Sequence, residues 1–481
     1  MIPPPPSRRT KRWLVQLKRL WNPERKPPLF NPAKESQLHD QGLRLLNKHL
    51  PVEIALGQPP KALHILQERR LCTNVPTGTL LIVDPLDHYT QMGGQLKVAP
   101  GESVHLGRFS ALQQEIFSYS ENVANQHLVL TNNRNHILIQ DLTNTGTTVA
   151  ALDEATTVEY LRRRELANLL EVRRIFGGPL GILPPREAFD TLEKAVHLLE
   201  QEAYRPPNSA SQPGGLLLLP DHLTPVLVGD LHAQLDNLLK VLSQGTLLRD
   251  LKNNTAALVI LGDAIHFESE MRLSEMGPSL LMTDLIARLK IQFPRNVFYL
   301  RGNHDSFSPE LHKGGMPQGF LWERHVVAER GQAYRDLLER FYQKLPYVIQ
   351  SRYFIASHAA PPLSRTPFEE IVDIVNHPTL MHELTWGRVI RPNNPVGYTK
   401  NEVKSFRKEM CISQELPFFV SHFPLSEDKT YWQDIMGIKN HHIVFSGKTH
   451  SCAIVTLTGG KMRPCILATE PLLDFLNALP G

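Results

Sequence analysis

The C-terminal half of the chain alternates short apolar runs with longer amphipathic stretches, which is the pattern of an α/β domain. The apolar runs have the length and the β-branched or aromatic content of buried strands, and helical stretches separate the first of them. We predict strands at Val226–Val228, Leu258–Ile260, Val297–Leu300, Tyr353–Ile355, Phe418–Val420 and Ile443–Phe445. Together they predict an α/β domain over residues 216–475.

Residues 76–150 carry a different pattern, in which short apolar runs are broken by turn clusters. The runs Leu80–Val83, His127–Leu130 and Ile137–Ile139 predict short strands, and their spacing favours a small all-β sandwich. Residues 151–215 then become helical and end in a stretch rich in proline, serine and glycine, which is typical of a linker or an exposed loop.

Residues 1–35 form a basic tail that belongs to neither predicted domain. A helix through it would place lysines and arginines opposite an apolar face. The residues of that face are Trp13, Leu14, Leu17, Leu20 and Trp21. Such a helix either packs on the protein itself or lies in a membrane interface, and the sequence leaves both open. A peripheral membrane contact is therefore one expectation for this tail.

Composition and charge predict a soluble protein of a reducing compartment. The hydrophobic fraction is 41%, and no apolar run approaches the roughly 20 residues that cross a bilayer. Four cysteines without paired spacing, and an N-terminus without an apolar signal segment, favour the cytoplasm. Residues 1–26 hold eight lysines and arginines against one glutamate, while the whole chain carries +4. The rest is therefore net negative, and we expect no nucleic-acid partner.

Candidate metal ligands follow almost every predicted strand of the α/β domain. They are Asp230 and His232, Asp263, Asn303 and His304, His358, His422, and His450. Sites in α/β sheets form beyond the carboxyl ends of strands, so these side chains are expected to converge. Carboxylate, imidazole and amide donors without thiolates suit manganese, iron or zinc. His441 and His442 precede a strand instead, and we predict them at the surface.

This series resembles the calcineurin-like metallophosphoesterase superfamily and, within it, the phosphoprotein phosphatase family. The resemblance covers roughly residues 216–470 in the family's motif order. The segments that carry it are Val228–Leu238, Leu261–Asp263, Leu300–Asp305 and Ser357–Pro362. It implies an α/β (α+β) fold, a β-sandwich flanked by helices, and two divalent metal ions, of which Mn²⁺ is favoured and iron or zinc also suit.

The resemblance also implies roles for individual ligands. Asp230 and His232 would bind the first ion, and Asp263 would bridge both. His450 lies in a segment similar to another ligand motif of the superfamily, so His422, His450 or both remain open as the last ligand. The other ligands of the second ion would be Asn303 and His358.

The same resemblance implies that His304 is the general acid, oriented by Asp305, which stands where the family has glutamate. One departure concerns the loop after Asp263, where His266 and Phe267 replace the usual aspartate and phosphate-binding arginine. A guanidinium holds phosphate through two parallel hydrogen bonds, so its loss must be compensated elsewhere. The remaining candidates for substrate binding are Arg301, Arg388 and His266.

Residues 76–150 resemble a forkhead-associated (FHA) domain, a phosphothreonine-binding sandwich. The segments that carry this resemblance are Leu106–Arg108, Val123–His127, Asp141–Leu142 and Gly146–Thr147. It implies a phosphate site at Arg108 and His127 and a phosphoprotein partner. However, Ala124 and Thr145 replace the usual serine and asparagine, which removes hydrogen-bond donors from that site. A role in packing or other protein contacts therefore stays open.

The function predicted from these motifs is hydrolysis of phosphomonoesters, with phosphoserine and phosphothreonine of proteins as the favoured class. The alternative enzymatic hypothesis is hydrolysis of small phosphoesters or dinucleoside polyphosphates. A third hypothesis is a non-catalytic adaptor that keeps the phosphatase fold. The complete ligand series argues against the adaptor, and the altered loop after Asp263 argues for it.

Overall fold

The computed structural model describes residues 28–38, 42–88, 95–108, 116–143, 146–392 and 394–480. The chain divides into two compact units, residues 1–164 and 165–481. Most of the basic tail predicted at residues 1–35 lies outside the described residues, and so does Thr145. None of the described helices combines the length and the apolar content needed to span a bilayer.

The first unit contains two antiparallel sheets that enclose an apolar core. Its strands are β1 (Ser36–Gln37), β2 (Leu43–Leu46), β3 (Val52–Leu56), β4 (Lys61–Arg69), β5 (Pro76–Val83), β6 (Gln95–Val98), β7 (Ser103–Leu106), β8 (Leu128–Asn132), β9 (His136–Asp141) and β10 (Thr148–Ala151). The sheet orders are β1-β10-β3-β4-β5-β6 and β2-β9-β8-β7. Alternate residues such as Ile54 and Leu130 point into the core, as expected for sheets with one buried face. The all-β prediction is confirmed, with strands that also precede residue 76.

The helices are mostly in the second unit. They are α1 (Pro85–His88), α2 (Val158–Phe176), α3 (Pro185–Glu200), α4 (Leu235–Ser243), α5 (Leu247–Lys252), α6 (Gly277–Gln292), α7 (Gln318–Arg330), α8 (Gln332–Gln343), α9 (Phe368–Val372), α10 (Pro378–Trp386), α11 (Lys400–Glu409) and α12 (Leu472–Ala478). Short 3₁₀ helices lie at Asn47–His49, Glu270–Arg272, Ile374–Asn376 and Ile435–Gly437.

The second unit is built on two mixed sheets. Its strands are β11 (Leu216–Leu218), β12 (Thr224–Val228), β13 (Ala256–Ile260), β14 (Val297–Tyr299), β15 (His312–Lys313), β16 (Met316–Pro317), β17 (Val348–Ser351), β18 (Phe354–Ser357), β19 (Phe418–Val420), β20 (Tyr431–Trp432), β21 (His441–Val444), β22 (Ser451–Thr458) and β23 (Lys461–Ala468). The orders are β11-β17-β18-β19-β21-β20 and β14-β13-β12-β22-β23, with β15 and β16 as a separate hairpin.

The two sheets of this unit pack face to face. Leu227 and Val259 of one sheet share an apolar cluster with Phe354 and Phe419 of the other. The outer face of the sheet that contains β18 and β19 is covered by α10 and α11, which bury Leu384 and Phe406 against it. The α/β prediction, with a β-sandwich flanked by helices, is therefore confirmed.

The carboxyl ends of the ligand-bearing strands meet at one edge of this sandwich. β12, β13 and β14 are parallel neighbours in one sheet, and β18, β19 and β21 are parallel neighbours in the other. A bridge between Asp230 and Phe445 joins the end of β12 to the end of β21. Side chains that follow these strands therefore lie close together although they are far apart in the sequence.

The segment from residue 205 to residue 215, predicted from composition as a linker or an exposed loop, is exposed at residues 209–212, but both of its ends are packed within the second unit. The guanidinium of Arg205 is buried and donates to the carbonyls of Gly214 and Lys344, both at 2.6 Å. Because proline and glycine content reports backbone conformation and not burial, composition alone did not indicate this.

Candidate metal centre

The predicted ligands converge into two groups of donor atoms that share one carboxylate. The first group is Asp230, Asp263, His358 and His422, and the second is His232, Asp263 and His304. Within each group the donor atoms lie within 4.8 Å of one another. Asp263 belongs to both, which is the arrangement that a bridging ligand between two metal ions requires.

His358 is at the centre of the first group. Its Nε2 lies 3.3 Å from Asp263 Oδ2, 3.1 Å from Asn303 Oδ1 and 3.2 Å from His422 Nδ1. Its Nδ1 lies 2.9 Å from the carbonyl oxygen of Leu261. A proton on Nδ1 would be donated to this carbonyl, which leaves Nε2 as the donor that faces the other ligands.

His232 is oriented in the same way in the second group. Its Nδ1 lies 3.0 Å from the carbonyl oxygen of His266. Its Nε2 lies 3.8 Å from Asp230 Oδ2 and 3.6 Å from Glu268 Oε1. These separations are too long for hydrogen bonds, but they suit atoms that bind a common ion at about 2.1 Å each.

The buried polar atoms of the site fit divalent cations. Both carboxylate oxygens of Asp230, Asp263 Oδ2 and His422 Nε2 are buried without a hydrogen-bond partner. Burying carboxylates costs several kcal/mol unless positive charge compensates them. In the protein alone His358, 3.3 Å from Asp230 Oδ1 and from Asp263 Oδ2, supplies that charge, and bound cations would supply it in its place. The carboxylate, imidazole and amide donors suit manganese, iron or zinc.

In the protein without ions, the pKa values of Asp263 and His358 are shifted by their mutual attraction. Burial raises the pKa of Asp263, but the imidazoles of His358 and His304 outweigh it and hold that pKa well below its ordinary value. Burial lowers the pKa of His358, but Asp263 and Asp230 outweigh it and raise that pKa well above its ordinary value. Metal binding must therefore displace a proton from this cluster.

Two glycines allow the ligand strands to approach one another. A Cβ atom on Gly302 would lie 2.1 Å from Asp263 Oδ1, and one on Gly262, whose φ is +107°, would lie 2.5 Å from His358 Nδ1. The backbone is also strained here, because Asp263 and His232 have positive φ values of 47° and 44°. The strain places both side chains in the site.

Replacing Gly302 with alanine is expected to weaken metal binding although no ligand is removed. The new Cβ would displace the bridging carboxylate of Asp263, and we expect the affinity to fall by about 10–100-fold. Calorimetric titration with Mn²⁺ measures this. Gly181→Ala is the matched control, since its Cβ would meet no atom within 4 Å. Equal Mn²⁺ affinities of the two variants would contradict the idea that the missing side chain of Gly302 allows Asp263 to reach the ions.

The structure corrects the role expected for Asp305. This carboxylate accepts hydrogen bonds from the backbone N–H groups of Gly302 (2.8 Å) and Asp263 (3.1 Å) and from the hydroxyl of Tyr299. No contact with the His304 ring is among them, so Asp305 braces the turn that carries the ligands. The ring of His304 instead faces His266, with 3.1 Å between the two Nδ1 atoms.

The candidate arginines occupy different surroundings. Arg388 is exposed, and its guanidinium lies 4.6 Å from the centre of the ring of Phe423, which follows the ligand His422. Arg301 lies 5.5 Å from the centre of the Tyr342 ring, and its charge lowers the otherwise raised pKa of Asp305. Arg301 is therefore on the side of the bracing carboxylate, whereas Arg388 is beside the donor groups.

His450 is not brought into the centre. Its side chain is exposed, and neither donor group includes it. It comes directly before β22, and its carbonyl accepts from the N–H of Thr469. Of the two rivals for the last ligand, the structure brings only His422 to the other donors.

Two residues that the candidate set lacked lie at the edge of the second group. Glu268 faces His232, and its carboxylate is ion-paired with Lys313 in the β15–β16 hairpin. Glu268 follows Asp263 in the same loop, which is a weak sequence signal. Nothing in the sequence around Lys313 distinguishes it from a surface lysine.

In the first unit, the candidate phosphate residues lie on either side of Ala124. The N–H of Arg108 donates to the carbonyl of Ala124 at 3.2 Å, and the N–H of Ala124 donates to His127 Nδ1, also at 3.2 Å. His127 is fully buried, and its Nε2 lies 3.1 Å from the hydroxyl of Thr147. Both ring nitrogens are thus occupied, which suits a bracing role for this histidine.

Comparison with known proteins assigns the ligand-bearing segment to a family. Residues 223–452, slightly less than half of the chain, match the model for the calcineurin-like phosphoesterases. No curated protein matches the sequence.

Solved structures also resemble the chain at low identity. A protein serine/threonine phosphatase from Saccharomyces cerevisiae, described as similar to human phosphatase PP5, is 15% identical with a TM-score of 0.44. That match covers 60% of this chain and 90% of the other. A cold-active protein-tyrosine phosphatase of a psychrophilic Shewanella is 13% identical with a TM-score of 0.35, over 53% of this chain and 82% of the other.

Proposed function

We propose that the calcineurin-like metallophosphoesterase domain at residues 223–452, which makes the chain a hydrolase, cleaves phosphomonoesters. Phosphoserine and phosphothreonine of proteins are the favoured substrates. The observation that carries the proposal is the buried carboxylate of Asp263, which is shared by two donor groups. Asp263 Oδ2 is buried without a hydrogen-bond partner and lies among the donor atoms of both groups, which suits a carboxylate that binds two ions.

The ligand residues hold the reacting centre, and the residues around them handle substrate and protons. When bound, two divalent ions supply Lewis-acid activation of water and neutralise charge on the phosphoryl oxygens. Manganese is the favoured metal, and iron or zinc also suit the donors. Arg388, exposed beside His422, orients the phosphate. His304, half-buried at the edge of the second group, donates a proton to the leaving oxygen.

The proton on His304 is held weakly in this site. Burial lowers its pKa to about 4, and the charge of Asp263 offsets this only in part. Its ring neighbour, His266, is itself neutral because burial lowers the pKa of His266 well below its ordinary value. A general acid must be protonated to act, so the active fraction of His304 falls as the pH rises above that pKa.

Replacing His266 with aspartate is expected to extend activity to higher pH. A carboxylate beside His304 favours the imidazolium and raises its pKa, typically by about 1–3 units. The basic limb of the pH–kcat profile for phosphoserine should move upward by a similar amount. His266→Asn is the matched control, because it has the same shape without the charge. A limb that stays in place in the aspartate variant would exclude His304 as the acid.

The proposal is tested by a substrate panel measured together with metal content. The panel contains a phosphoserine peptide, p-nitrophenyl phosphate, a phosphodiester and a dinucleoside tetraphosphate, each with Mn²⁺. We expect turnover of the two monoesters. Activity confined to the diester or to the dinucleoside tetraphosphate would exclude the protein phosphatase and favour the hydrolase of small phosphoesters or dinucleoside polyphosphates. A protein that recruits no transition metal and turns over none of these compounds would be an adaptor.

The first unit is proposed to select a phosphoprotein partner, as an FHA-like sandwich would. Its two-sheet architecture and the position of Arg108 beside Ala124 support this. The buried His127 does not support it, since both of its ring nitrogens already have hydrogen-bond partners within the protein. Calorimetric titration with phosphothreonine peptides tests the proposal, and absence of binding would favour a role in packing or in other protein contacts.

A further inference from the structure

Two arginines rest on one aromatic ring beside the candidate metal centre. The guanidinium carbon of Arg388 lies 4.6 Å from the centre of the Phe423 ring, and that of Arg391 lies 4.3 Å from the same centre. Phe423 directly follows His422, a member of the first donor group. A cation–π contact of this kind does not use the N–H donors of either guanidinium group.

Neither arginine has an acidic partner within the described parts of the chain. No carboxylate oxygen there lies within ion-pair distance of either guanidinium, and Nε of Arg391 is buried without a hydrogen-bond partner. Partial burial and the charge of Arg391 lower the pKa of Arg388, while Glu268 raises it. The carboxylate of Glu268 is already ion-paired with Lys313. Two guanidinium groups that lack ion-pair partners and lie on one ring favour the binding of an anion.

The backbone that carries the arginines is braced. Arg391 and Asn394 exchange two backbone hydrogen bonds, both 2.9 Å long. Tyr398 donates its N–H to the carbonyl of Arg388 at 2.9 Å and accepts from the N–H of Ile390 at 3.0 Å. The backbone at both arginines is therefore held by hydrogen bonds, which limits the conformational freedom lost when a ligand binds.

The two arginines differ in the charged groups that they influence. The charge of Arg388 acts on His422 and is acted on by Glu268, both at the metal centre. The charge of Arg391 lowers the pKa of Arg388. Both guanidinium groups lie on the ring of the residue that follows His422, and the charge of Arg388 reaches that imidazole.

We propose that Arg391, together with Arg388, binds a second anionic group of the substrate, next to the phosphate that is hydrolysed. This rests on the proposed phosphomonoesterase function and narrows its substrate class to phosphopeptides with an acidic residue beside the phosphorylated one. An open cleft of about 400 Å³ is lined by Arg388 and Glu383 and has room for the flanking peptide, while Arg391 lies next to it on the ring of Phe423. Its apolar and aromatic lining includes Leu363, Trp386 and Val396.

The test compares two phosphoserine peptides that differ only in aspartate or asparagine after the phosphorylated residue. For the native protein with Mn²⁺, we expect kcat/KM to be about ten-fold higher for the aspartate peptide, the size of one guanidinium–carboxylate contact. In Arg391→Gln that ratio should fall to about one, and Arg391→Lys should retain part of it. Arg352→Gln is the control, because Arg352 also lies over an aromatic ring but is exposed and paired with Asp221.

Binding measured separately from turnover keeps this inference distinct from the proposed function. Calorimetric titration of the manganese-loaded protein with both peptides should show the same preference and its loss in Arg391→Gln, even if no phosphopeptide is hydrolysed. Equal affinity of the native protein for both peptides would overturn the inference. A dinucleoside tetraphosphate that loses affinity in Arg391→Gln, while the peptides show no preference, would identify phosphate as the source of the second anion and overturn the peptide assignment.

Discussion

Replacing Asp263 with asparagine is expected to reduce turnover by roughly 10³-fold and to weaken binding of both metal ions. The side chain keeps its size, so the fold should persist. The bridging negative charge is lost from both donor groups at once. Loss of any other single member would affect mainly one group. Metal content per protein and hydrolysis of p-nitrophenyl phosphate measure the two effects.

Asp221→Asn provides the control for this substitution, because Asp221 is exposed and forms a surface ion pair with Arg352. Both variants should keep the circular dichroism spectrum of the native protein. An Asp263→Asn protein that still holds two ions and turns over substrate normally would refute the bridging role. Loss of one ion alone would show that Asp263 serves a single site.

Replacing His304 with alanine is expected to lower kcat for phosphoserine by roughly 10²–10⁴-fold while metal content stays unchanged. The reason is that an alkoxide leaving group needs a proton, whereas p-nitrophenolate leaves without one. The loss should therefore be much smaller for p-nitrophenyl phosphate. His197→Ala, which removes an exposed histidine on α3, is the control.

Metal content decides between the two roles that the geometry gives His304. It lies in the second donor group with His232 and Asp263, so its ring is also within reach of an ion. A variant that loses an ion and is equally impaired on both substrates would show that His304 is a ligand instead of an acid. Retained metal with a leaving-group effect would establish the acid.

The sequence predicted the site better than its surroundings because the ligands follow strands. Strand ends can be located from apolar runs such as Leu258–Ile260, and parallel strands bring their carboxyl ends together whatever the intervening loops do. A residue that directly follows such a strand can therefore be placed near the other strand ends from the local sequence alone. Asp230, Asp263 and His358 were found in this way and converge in the structure.

What the sequence did not indicate depends on side-chain contacts between distant segments. His441 and His442 were predicted at the surface but are buried, where they meet the hydroxyls of Tyr398 and Tyr431 at 2.8 and 3.1 Å. Those tyrosines compensate the buried imidazoles, and no periodicity along β21 reports a partner on another element. The sequence likewise did not indicate that Asp305 accepts hydrogen bonds from backbone N–H groups and does not contact the His304 ring.

The joining of Asp230 to Phe445, described above as a bridge between two sheets, also bears on the order of events during synthesis. The donors come from both sheets, and the last of them, His422, follows β19. A growing chain that has not yet reached β19 lacks both this imidazole and the strand that would present it. Secure capture of the ion held by the first donor group must therefore wait until β19 has left the ribosome, whereas the members of the second group are all synthesised before β18.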